Sequence, residues 1–296
     1  SSSLSELKKS DYYIWWGGKN DLIAGQEGYH NHCDTYFEPS KDDFQKWGYE
    51  LQEGSHGGDL RWRGNKEGDN YYSFYKGKLD KKNKDKYFDD DWSMVYGALD
   101  FIEDFKNKEP FCLFLPLSYP HPPYCVEEPW YSSIDRNKIP DRYEYQNWED
   151  KPNLLKGILD GQRMQNWNED KWRELRAVYL GMCARVDYQF GLLIDQLKKN
   201  NLYDNSLIIF LSDHGDFTGD YGLVEKTQNT FQDCLTNVPL IIKPPKSKNT
   251  LNGVSDTMIE LIDVAGTIYD YSNIEPSYWH FGKSIKNFID QKVDNH

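Results

Sequence analysis

The sequence predicts an α/β fold with a mainly parallel sheet flanked by helices. Two observations lead to this prediction: helical patterns alternate along the chain with short apolar runs, and those runs are continuous rather than interrupted by polar residues. Continuous apolar runs are typical of strands buried on both faces, as in parallel sheets covered by helices. We found no internal repeat.

The first elements are a short helix and a strand. The polar and apolar pattern of Ser2–Lys9 predicts a helix, and the aromatic run Tyr12–Trp16 predicts a buried strand that Gly17-Gly18 ends. Residues 25–90 are rich in Gly, Asp, Asn, Lys and Tyr and have no sustained periodicity. We therefore expect a long irregular insertion there, with room for a hairpin.

The middle of the chain repeats the alternation. Apolar residues fall on one helical face from Trp92 to Phe105, and the continuous run Phe111–Leu115 predicts a second buried strand. Residues 125–168 are polar and contain several Pro and Trp, which predicts a second irregular insertion.

The last third has the strongest helical signal. Apolar residues keep the helical period throughout Glu169–Lys199. The runs Leu207–Leu211 and Val238–Ile242 predict two further strands, the second with a proline near its beginning, where proline is tolerated. A final helix is predicted at Ser255–Tyr269.

Composition excludes several classes of function. A formal net charge of -13 opposes binding to nucleic acid or to an anionic membrane, because their phosphates would be repelled. The lysine-rich run Lys81–Lys86, with the acids Asp89–Asp91 after it, is interpreted as a solvated loop. We find neither an apolar run of membrane-spanning length nor a signal-peptide pattern, and the sequence leaves the cellular compartment open.

The cysteines and the aromatic residues indicate a function less clearly than the charge does. The five cysteines form no Cys-x-x-Cys pair, so neither a disulfide framework nor a zinc ribbon is indicated. The short run His30–Asp34 contains metal-ligand types, but they are crowded and have no partner pair, so lining of a substrate cleft is the preferred alternative to zinc. Ten Trp and 22 Tyr suit a carbohydrate-facing cleft or ordinary packing.

Titratable side chains follow three of the predicted strands. Lys19 and Asp21 follow the first strand, His121 follows the second, and Asp213-His214 with the later Lys226 follow the third. Ligands of open α/β sheets bind beyond the carboxyl ends of the strands, so we expect these side chains to share one rim. Each has an ordinary alternative when taken singly: a surface lysine, a satisfied loop histidine, or an acid that caps a helix.

The order of these motifs resembles the sulfatase family of the alkaline-phosphatase-like superfamily. The stretch from Leu202 to Lys226 resembles the second signature region of that family. Four further segments resemble family motifs in the correct order, so that the resemblance covers nearly the whole chain: Gly18-Lys19, Pro120–Tyr124, Val238–Lys243, and Met258–Ala265 with Phe281–Ile285.

The resemblance implies a role for each of these positions. Asp213 and His214 would be metal ligands, usually to Ca²⁺ in this family, with Mg²⁺ or Mn²⁺ as alternatives. Lys19, His121 and Lys226 would contact the sulfate group and stabilise or protonate the leaving oxygen. Asp21 stands where the family usually has His. The small substrate would be a sulfate ester, with a sulfated carbohydrate as one such class.

The sequence also departs from the family pattern. Sulfatases use a formylglycine made from a Cys/Ser-x-Pro/Ala-x-Arg motif, and no Cys or Ser here is followed by that pattern. The strand with paired Asp metal ligands and the smaller C-terminal subdomain have no counterpart either. We therefore interpret residues 1–296 as a partial sulfatase catalytic domain, inactive alone. We also expect exposed apolar surface, with poor solubility, self-association or dependence on the missing segment as a partner chain.

Two other functions remain open at this stage. A phosphonate monoester hydrolase or phosphodiesterase of the same superfamily would share the fold and the Asp-His pair. A non-enzymatic module that binds sulfated glycans, or an inactive fragment, would explain the absent nucleophile motif.

Overall fold

The fold is described from a computed structural model of the chain. It describes residues 2–21, 23–24, 28–51, 63–80, 87–106, 109–144, 149, 151–227, 230–246 and 252–290. The lysine-rich run Lys81–Lys86 lies outside these residues.

A parallel three-stranded sheet contains the first predicted strand at its centre. Strand β1 (Tyr13–Gly17) pairs on one side with β2 (Thr35–Phe37) and on the other with β4 (Phe111–Phe114), both in parallel. Helix α1 (Ser3–Lys9) precedes β1 and begins with a capping box at Ser2. The predicted helix, strand and parallel pairing of this region are confirmed.

Two further ladders complete the strand inventory of the described residues. Strand β3 (Tyr75–Lys78) pairs in parallel with β5 (Tyr124–Val126), with an irregularity between Tyr75 and Gly77. Strand β6 (Ile208–Leu211) pairs with β7 (Leu240–Lys243), and this ladder is antiparallel. The parallel ladders outnumber the antiparallel one, as the prediction of a mainly parallel α/β fold requires.

The helices cover the sheets, and the longest lies at the centre of the packing. Helix α6 (Glu169–Lys199) has the predicted bounds and begins at the capping residue Asn168. Its apolar face packs on β5 in the largest core cluster, which includes Leu175, Val178 and Met182. The other helices are α2 (Lys41–Trp47), α3 (Asp90–Asp104), α4 (Trp130–Ser133), α5 (Asn153–Gln162), α7 (Asp233–Thr236), α8 (Ile262–Ser272) and α9 (Lys286–Ile289).

Both predicted insertions are more regular than the sequence suggested. Residues 25–90 contain α2, β2 and β3, and the two strands pair in parallel with β1 and β5 rather than with each other in a hairpin. Residues 125–168 contain α4, α5 and most of β5. Aromatic contacts between distant segments explain the difference: Phe37 of β2 stacks on Trp15 of β1, with ring centroids 5.2 Å apart.

The acids after the lysine-rich run are also ordered differently from the prediction. Asp89 caps α3, and Asp89 and Asp91 are buried, whereas we expected them in a solvated loop. Burial is tolerated because each carboxylate has hydrogen-bond partners: Asp89 accepts from the Trp92 N–H, and Asp91 accepts from the N–H groups of Ser118 and Tyr119.

The last predicted helix is shifted toward the C-terminus. Helix α8 begins at Ile262, whereas the sequence predicted a start at Ser255. Ser255 makes local bonds instead, because its hydroxyl bonds to the side chain of Thr257 and accepts from the Thr257 N–H. Such side-chain bonds compete with helix formation.

The prediction that the apolar strands are buried on both faces is wrong for the β6–β7 ladder. Leu211 of β6 and Ile241 of β7 are exposed although they point to opposite faces of the ladder, while Phe210 of β6 contacts Phe190 of α6. Large apolar side chains are exposed elsewhere too: Phe231, Val254, Met258, Trp279 and Phe281. The expected apolar surface is therefore present, while the expected poor solubility and self-association stay predictions. Within the described residues, no helix combines the length and apolarity that a membrane crossing requires.

Candidate active site

His121 and Lys226 meet although 105 residues separate them. The Lys226 Nζ lies 3.0 Å from His121 Nε2, and His121 Nδ1 lies 2.7 Å from the carbonyl oxygen of Pro122. A lysine ammonium can only donate, so we assign the proton of the neutral ring to Nδ1, which donates to Pro122. Burial lowers the pKa of His121, and the nearby charges of Lys226 and Lys19 lower it further.

Lys19 and Asp21 belong to the same group of charges. The Lys19 Nζ lies 2.9 Å from Asp21 Oδ2, and the hydrogen bond from Lys19 lowers the pKa of the Asp21 carboxyl. The charge of Lys226, and that of His121 when its ring is protonated, act on Asp21 in the same direction. The structure thus brings four of the six predicted site residues together. We call Lys19, Asp21, His121 and Lys226 the cationic cluster.

A glycine and a backbone bond fix Lys19 at the end of β1. Gly18 has a φ of 115°, and a Cβ at this position would lie 2.2 Å from the carbonyl oxygen of Pro116. That oxygen accepts the Lys19 N–H at 2.9 Å. Only glycine fits this close approach of two chain segments, so the predicted Gly-Lys pair has a local structural reason.

The loop that carries His121 is held by the start of α3. Asp91 accepts hydrogen bonds from the N–H groups of Ser118 and Tyr119 at 2.9 and 2.8 Å. The His121 N–H in turn donates to the Ser118 carbonyl at 2.8 Å. Burial and the charge of Asp89 raise the pKa of the Asp91 carboxyl. Sequence reasoning missed Asp91, because it lies 30 residues from His121 on another element.

Glu225 is a second residue that the sequence did not single out. Its Oε1 lies 3.0 Å from Lys226 Nζ and 3.8 Å from His121 Nε2. The Tyr124 hydroxyl accepts the Glu225 N–H at 2.8 Å and donates to the Asp216 carboxylate at 2.7 Å. The position of Glu225 beside Lys226 was the only signal in the sequence, and an adjacent acid is common on surfaces.

Asp213 and His214 follow β6, as predicted. The His214 N–H donates to Asp213 Oδ1 at 3.0 Å, and His214 Nε2 lies 3.7 Å from Asp213 Oδ2. His214 Nδ1 lies 2.8 Å from the carbonyl oxygen of Gly215. A Cβ on Gly215 would lie 1.9 Å from the Cys234 carbonyl oxygen, so a side chain at this position would clash with the backbone of α7.

Asp213 and His214 relate to the cationic cluster indirectly, through Asp216. This buried carboxyl lies within electrostatic range of both His214 and Glu225, which lower and raise its pKa respectively. Burial is the largest influence and raises that pKa to about 6. His214 and the cationic cluster are therefore linked through Tyr124, Asp216 and Glu225.

The implied metal has a partial ligand set. The separation of 3.7 Å between His214 Nε2 and Asp213 Oδ2 suits two ligands of one cation, since each would be roughly 2.0–2.6 Å from the ion. No group of three His, Cys, Asp or Glu side chains that could hold a metal occurs within the part of the chain that the structure describes. These two residues fit a divalent cation as contributors to a larger shell.

The His30–Asp34 run is occupied by structural contacts. Asp34 pairs with Lys8 at 2.7 Å and accepts the Ile14 N–H at 2.8 Å, while His32 Nδ1 bonds to the Ser2 hydroxyl at 2.9 Å. These contacts tie α1 and β1 to the following loop. They support the preference against zinc.

Comparison with known proteins identifies the family. The family model described as Sulfatase matches residues 22–274, which is most of the chain. The chain belongs to the sulfatase family. Four of the six predicted site residues, His121, Asp213, His214 and Lys226, lie inside the matched range, whereas Lys19 and Asp21 lie just before it.

Two relatives of this sulfatase chain indicate how much of a sulfatase it spans. It is 26% identical over 228 residues to the multifunctional alkaline phosphatase superfamily protein PehA of Trinickia caryophylli, covering 72% of the chain and 44% of the relative. It is 25% identical over 209 residues to an arylsulfatase of Clostridium perfringens, covering 67% of the chain and 41% of the relative. The sulfatase chain thus spans less than half the length of these relatives.

Solved structures support the fold. The phosphonate monoester hydrolase of Agrobacterium radiobacter matches with a TM-score of 0.71 at 18% identity, covering 97% of the sulfatase chain and 61% of the solved chain. At this identity the match establishes the alkaline-phosphatase-like fold alone. The predicted fold and family are confirmed.

Proposed function

We propose that this sulfatase chain supplies the sulfate-binding and leaving-group side of a sulfate-ester hydrolase. The observation that carries the proposal is the meeting of Lys226 and His121, with Lys19 in electrostatic range. Two ammonium groups and an imidazole from three separate segments suit a tetrahedral oxyanion and the charge that develops on it during transfer.

The proposed steps use the protonation states that the geometry favours. Lys226 donates to an oxygen of the bound ester and, at the scissile bond, to the oxygen that leaves. The lowered pKa of His121 favours the neutral ring, whose Nε2 accepts a hydrogen bond from Lys226; the ring donates a proton from Nε2 only after it has taken one up. Lys19 neutralises charge on the group being transferred, while Asp21 holds the Lys19 ammonium.

Two groups that the family uses would complete the reaction. Formylglycine supplies the nucleophile in sulfatases, and a divalent cation, Ca²⁺ in most of them, neutralises charge on the transferred group. Asp213 and His214 are the residues that would contribute to holding the cation. No motif for formylglycine occurs in these 296 residues, so we propose that this chain alone does not turn over sulfate esters.

The proposed substrate is a small sulfate ester, and a sulfated carbohydrate is the class that the aromatic content suits best. The net charge of -13 argues against a nucleic-acid substrate, because an acidic protein repels an extended run of phosphates. The positive groups of the site form a local cluster, which suits a small anion. We propose that the exposed apolar side chains are covered by self-association or by pairing with a further segment.

An assay of the protein translated from the complete reading frame tests the proposal. An aryl sulfate, an aryl phosphonate monoester and an aryl phosphodiester with the same leaving group would be compared, with Ca²⁺ and with a chelator. We expect the sulfate to be hydrolysed fastest, and Lys226→Met and His121→Gln to lower the rate by roughly 100-fold or more each. Faster hydrolysis of either phosphorus ester would favour the alternative function instead.

A further inference from the structure

Glu225 places a negative charge inside the cationic cluster. Its Oε1 lies 3.0 Å from Lys226 Nζ, the atom that an incoming anion would contact, and 3.8 Å from His121 Nε2. A pocket that only had to attract anions would be weakened by a carboxylate at this position, because like charges repel at short range. The placement of Glu225 therefore calls for a role beyond attraction.

Both peptide groups of Glu225 are fixed. Its N–H donates to the Tyr124 hydroxyl at 2.8 Å, and its carbonyl accepts from the Phe217 N–H at 3.0 Å. Its φ of 63° lies in the left-handed region, which is uncommon for a residue with a side chain. The backbone thus directs the carboxylate toward Lys226 from a rigid base rather than from a loose surface turn.

The charges around the site balance almost completely. Lys19 and Lys226 are positive, Asp21 and Glu225 are negative, and His121 is kept neutral by burial and by its cationic neighbours. The five side chains therefore sum to about zero at neutral pH. Each negative charge on a ligand is attracted by the two ammonium groups and repelled by Glu225, so the repulsion from Glu225 acts about twice as strongly on an ester with two charges as on an ester with one.

We propose that Glu225 makes this site selective for esters that carry one negative charge over esters that carry two. Sulfate esters, phosphonate monoesters and phosphodiesters carry one charge, whereas a phosphate monoester carries nearly two above about pH 7. The inference rests on the proposed binding of tetrahedral anions at Lys226 and His121. It holds whichever singly charged ester is the natural substrate, because only the number of charges matters.

Calorimetric titration of the purified protein with phenyl sulfate and phenyl phosphate at pH 8 tests the inference. The two ligands share a ring and a tetrahedral group and differ by one charge. We expect the wild-type protein to prefer phenyl sulfate. Glu225→Gln keeps the shape and removes the charge, and it should shift the ratio of the two dissociation constants toward phenyl phosphate by at least about fivefold.

Two variants serve as controls. Glu225→Asp keeps the charge and should keep the preference for phenyl sulfate. Glu128→Gln removes an equal charge from another carboxylate–lysine pair, in which Glu128 lies 2.8 Å from Lys78 with similar exposure. This control should leave the ratio unchanged, which separates a local effect from the change in net charge.

The possible results have distinct meanings. A ratio that Glu225→Gln leaves unchanged, or shifts no more than Glu128→Gln does, overturns the role of Glu225 while leaving the proposed function standing. If neither ester binds to the wild-type protein, both the anion site and the selectivity inferred from it are wrong. A shift specific to Glu225→Gln, with the preference kept in Glu225→Asp, supports the inference.

Discussion

Two clusters of paired charges contact the segment that carries His121, one at Tyr119 and one at His121, and they differ in their access to solvent. In the first, Arg185 of α6 is fully buried between Asp89 and Glu127, with Glu127 at 3.1 Å and the Tyr119 ring 4.1 Å from the guanidinium carbon. The second is the cationic cluster, in which the Lys226 side chain remains 29% exposed.

The difference indicates what each group can do. The buried arginine has two carboxylates and two aromatic rings as neighbours, so its charge is compensated inside the protein and unavailable to a ligand. The ammonium group of Lys226 keeps access to solvent and so can exchange a protein partner for a ligand. We infer that the first group holds the loop and the second acts on what enters the site.

The largest effect is expected from breaking the buried group. Arg185→Met keeps much of the side-chain volume but leaves Asp89 and Glu127 as uncompensated buried charges, which should lower the free energy of unfolding by ~3–5 kcal/mol. Urea denaturation measures this. Lys226→Met is the matched variant in the exposed cluster and should change stability by less than about 1 kcal/mol. Equal losses in the two variants would contradict the comparison.

A smaller loss of stability is expected from changing Asp91, which holds the loop that carries His121. Asp91→Asn keeps the shape but turns one acceptor oxygen into an NH₂ group that faces an N–H of Ser118 or Tyr119. The unpaired donor should cost about 1–3 kcal/mol in urea denaturation. The same variant should weaken phenyl sulfate binding, because the loop carries His121. Loss of stability with unchanged binding would show that Asp91 does not position His121.

The pKa of His121 tests whether Lys226 and His121 meet in the exposed cluster. The charge of Lys226 helps to lower this pKa, so Lys226→Met should raise it, while burial still keeps it below the usual value near 6.5. As the pH falls, the ring therefore gains its proton earlier in the variant than in the wild type. Nuclear magnetic resonance titration of the histidine ring signals, assigned with His121→Gln, measures the shift. An unchanged or lowered pKa would mean that the two side chains do not meet in solution.

The smallest effect is expected at the exposed edge of the cluster. Lys19→Met should raise the pKa of Asp21, because the hydrogen bond from Lys19 is the main cause of its lowering. Carboxyl carbon resonances, assigned with Asp21→Asn, report this directly. Lys46→Met removes a lysine that pairs with Asp100 at the same distance of 2.9 Å, and it should leave Asp21 unaffected.

The sequence predicted the elements whose stability comes from local patterns. The 31-residue α6 was predicted with its bounds because its apolar residues keep one period throughout. The strands near Tyr13, Phe111 and Ile208 were predicted because each is a continuous apolar run. The insertions were not, because β2 and β3 are stabilised by pairing and aromatic contacts with distant segments that no local pattern records.

The site residues also divide into those that a local motif predicted and those whose roles depend on distant contacts. Lys19, His121 and Lys226 were found because each belongs to a motif near the end of a strand. Glu225, Tyr124 and the acids around Arg185 were missed as partners, because their roles depend on contacts across dozens of residues. Residue type alone does not distinguish a buried acid such as Asp91 from a solvated one.

The central claim is that Lys19, His121 and Lys226 form one pocket for a tetrahedral anion. A crystal structure of the protein with bound phenyl sulfate tests it most directly. We expect a sulfate oxygen within about 3 Å of Lys226 Nζ, with Lys19 Nζ and the His121 ring facing the same group. A well-ordered phenyl sulfate bound elsewhere, with these three side chains pointing to different regions, would contradict it.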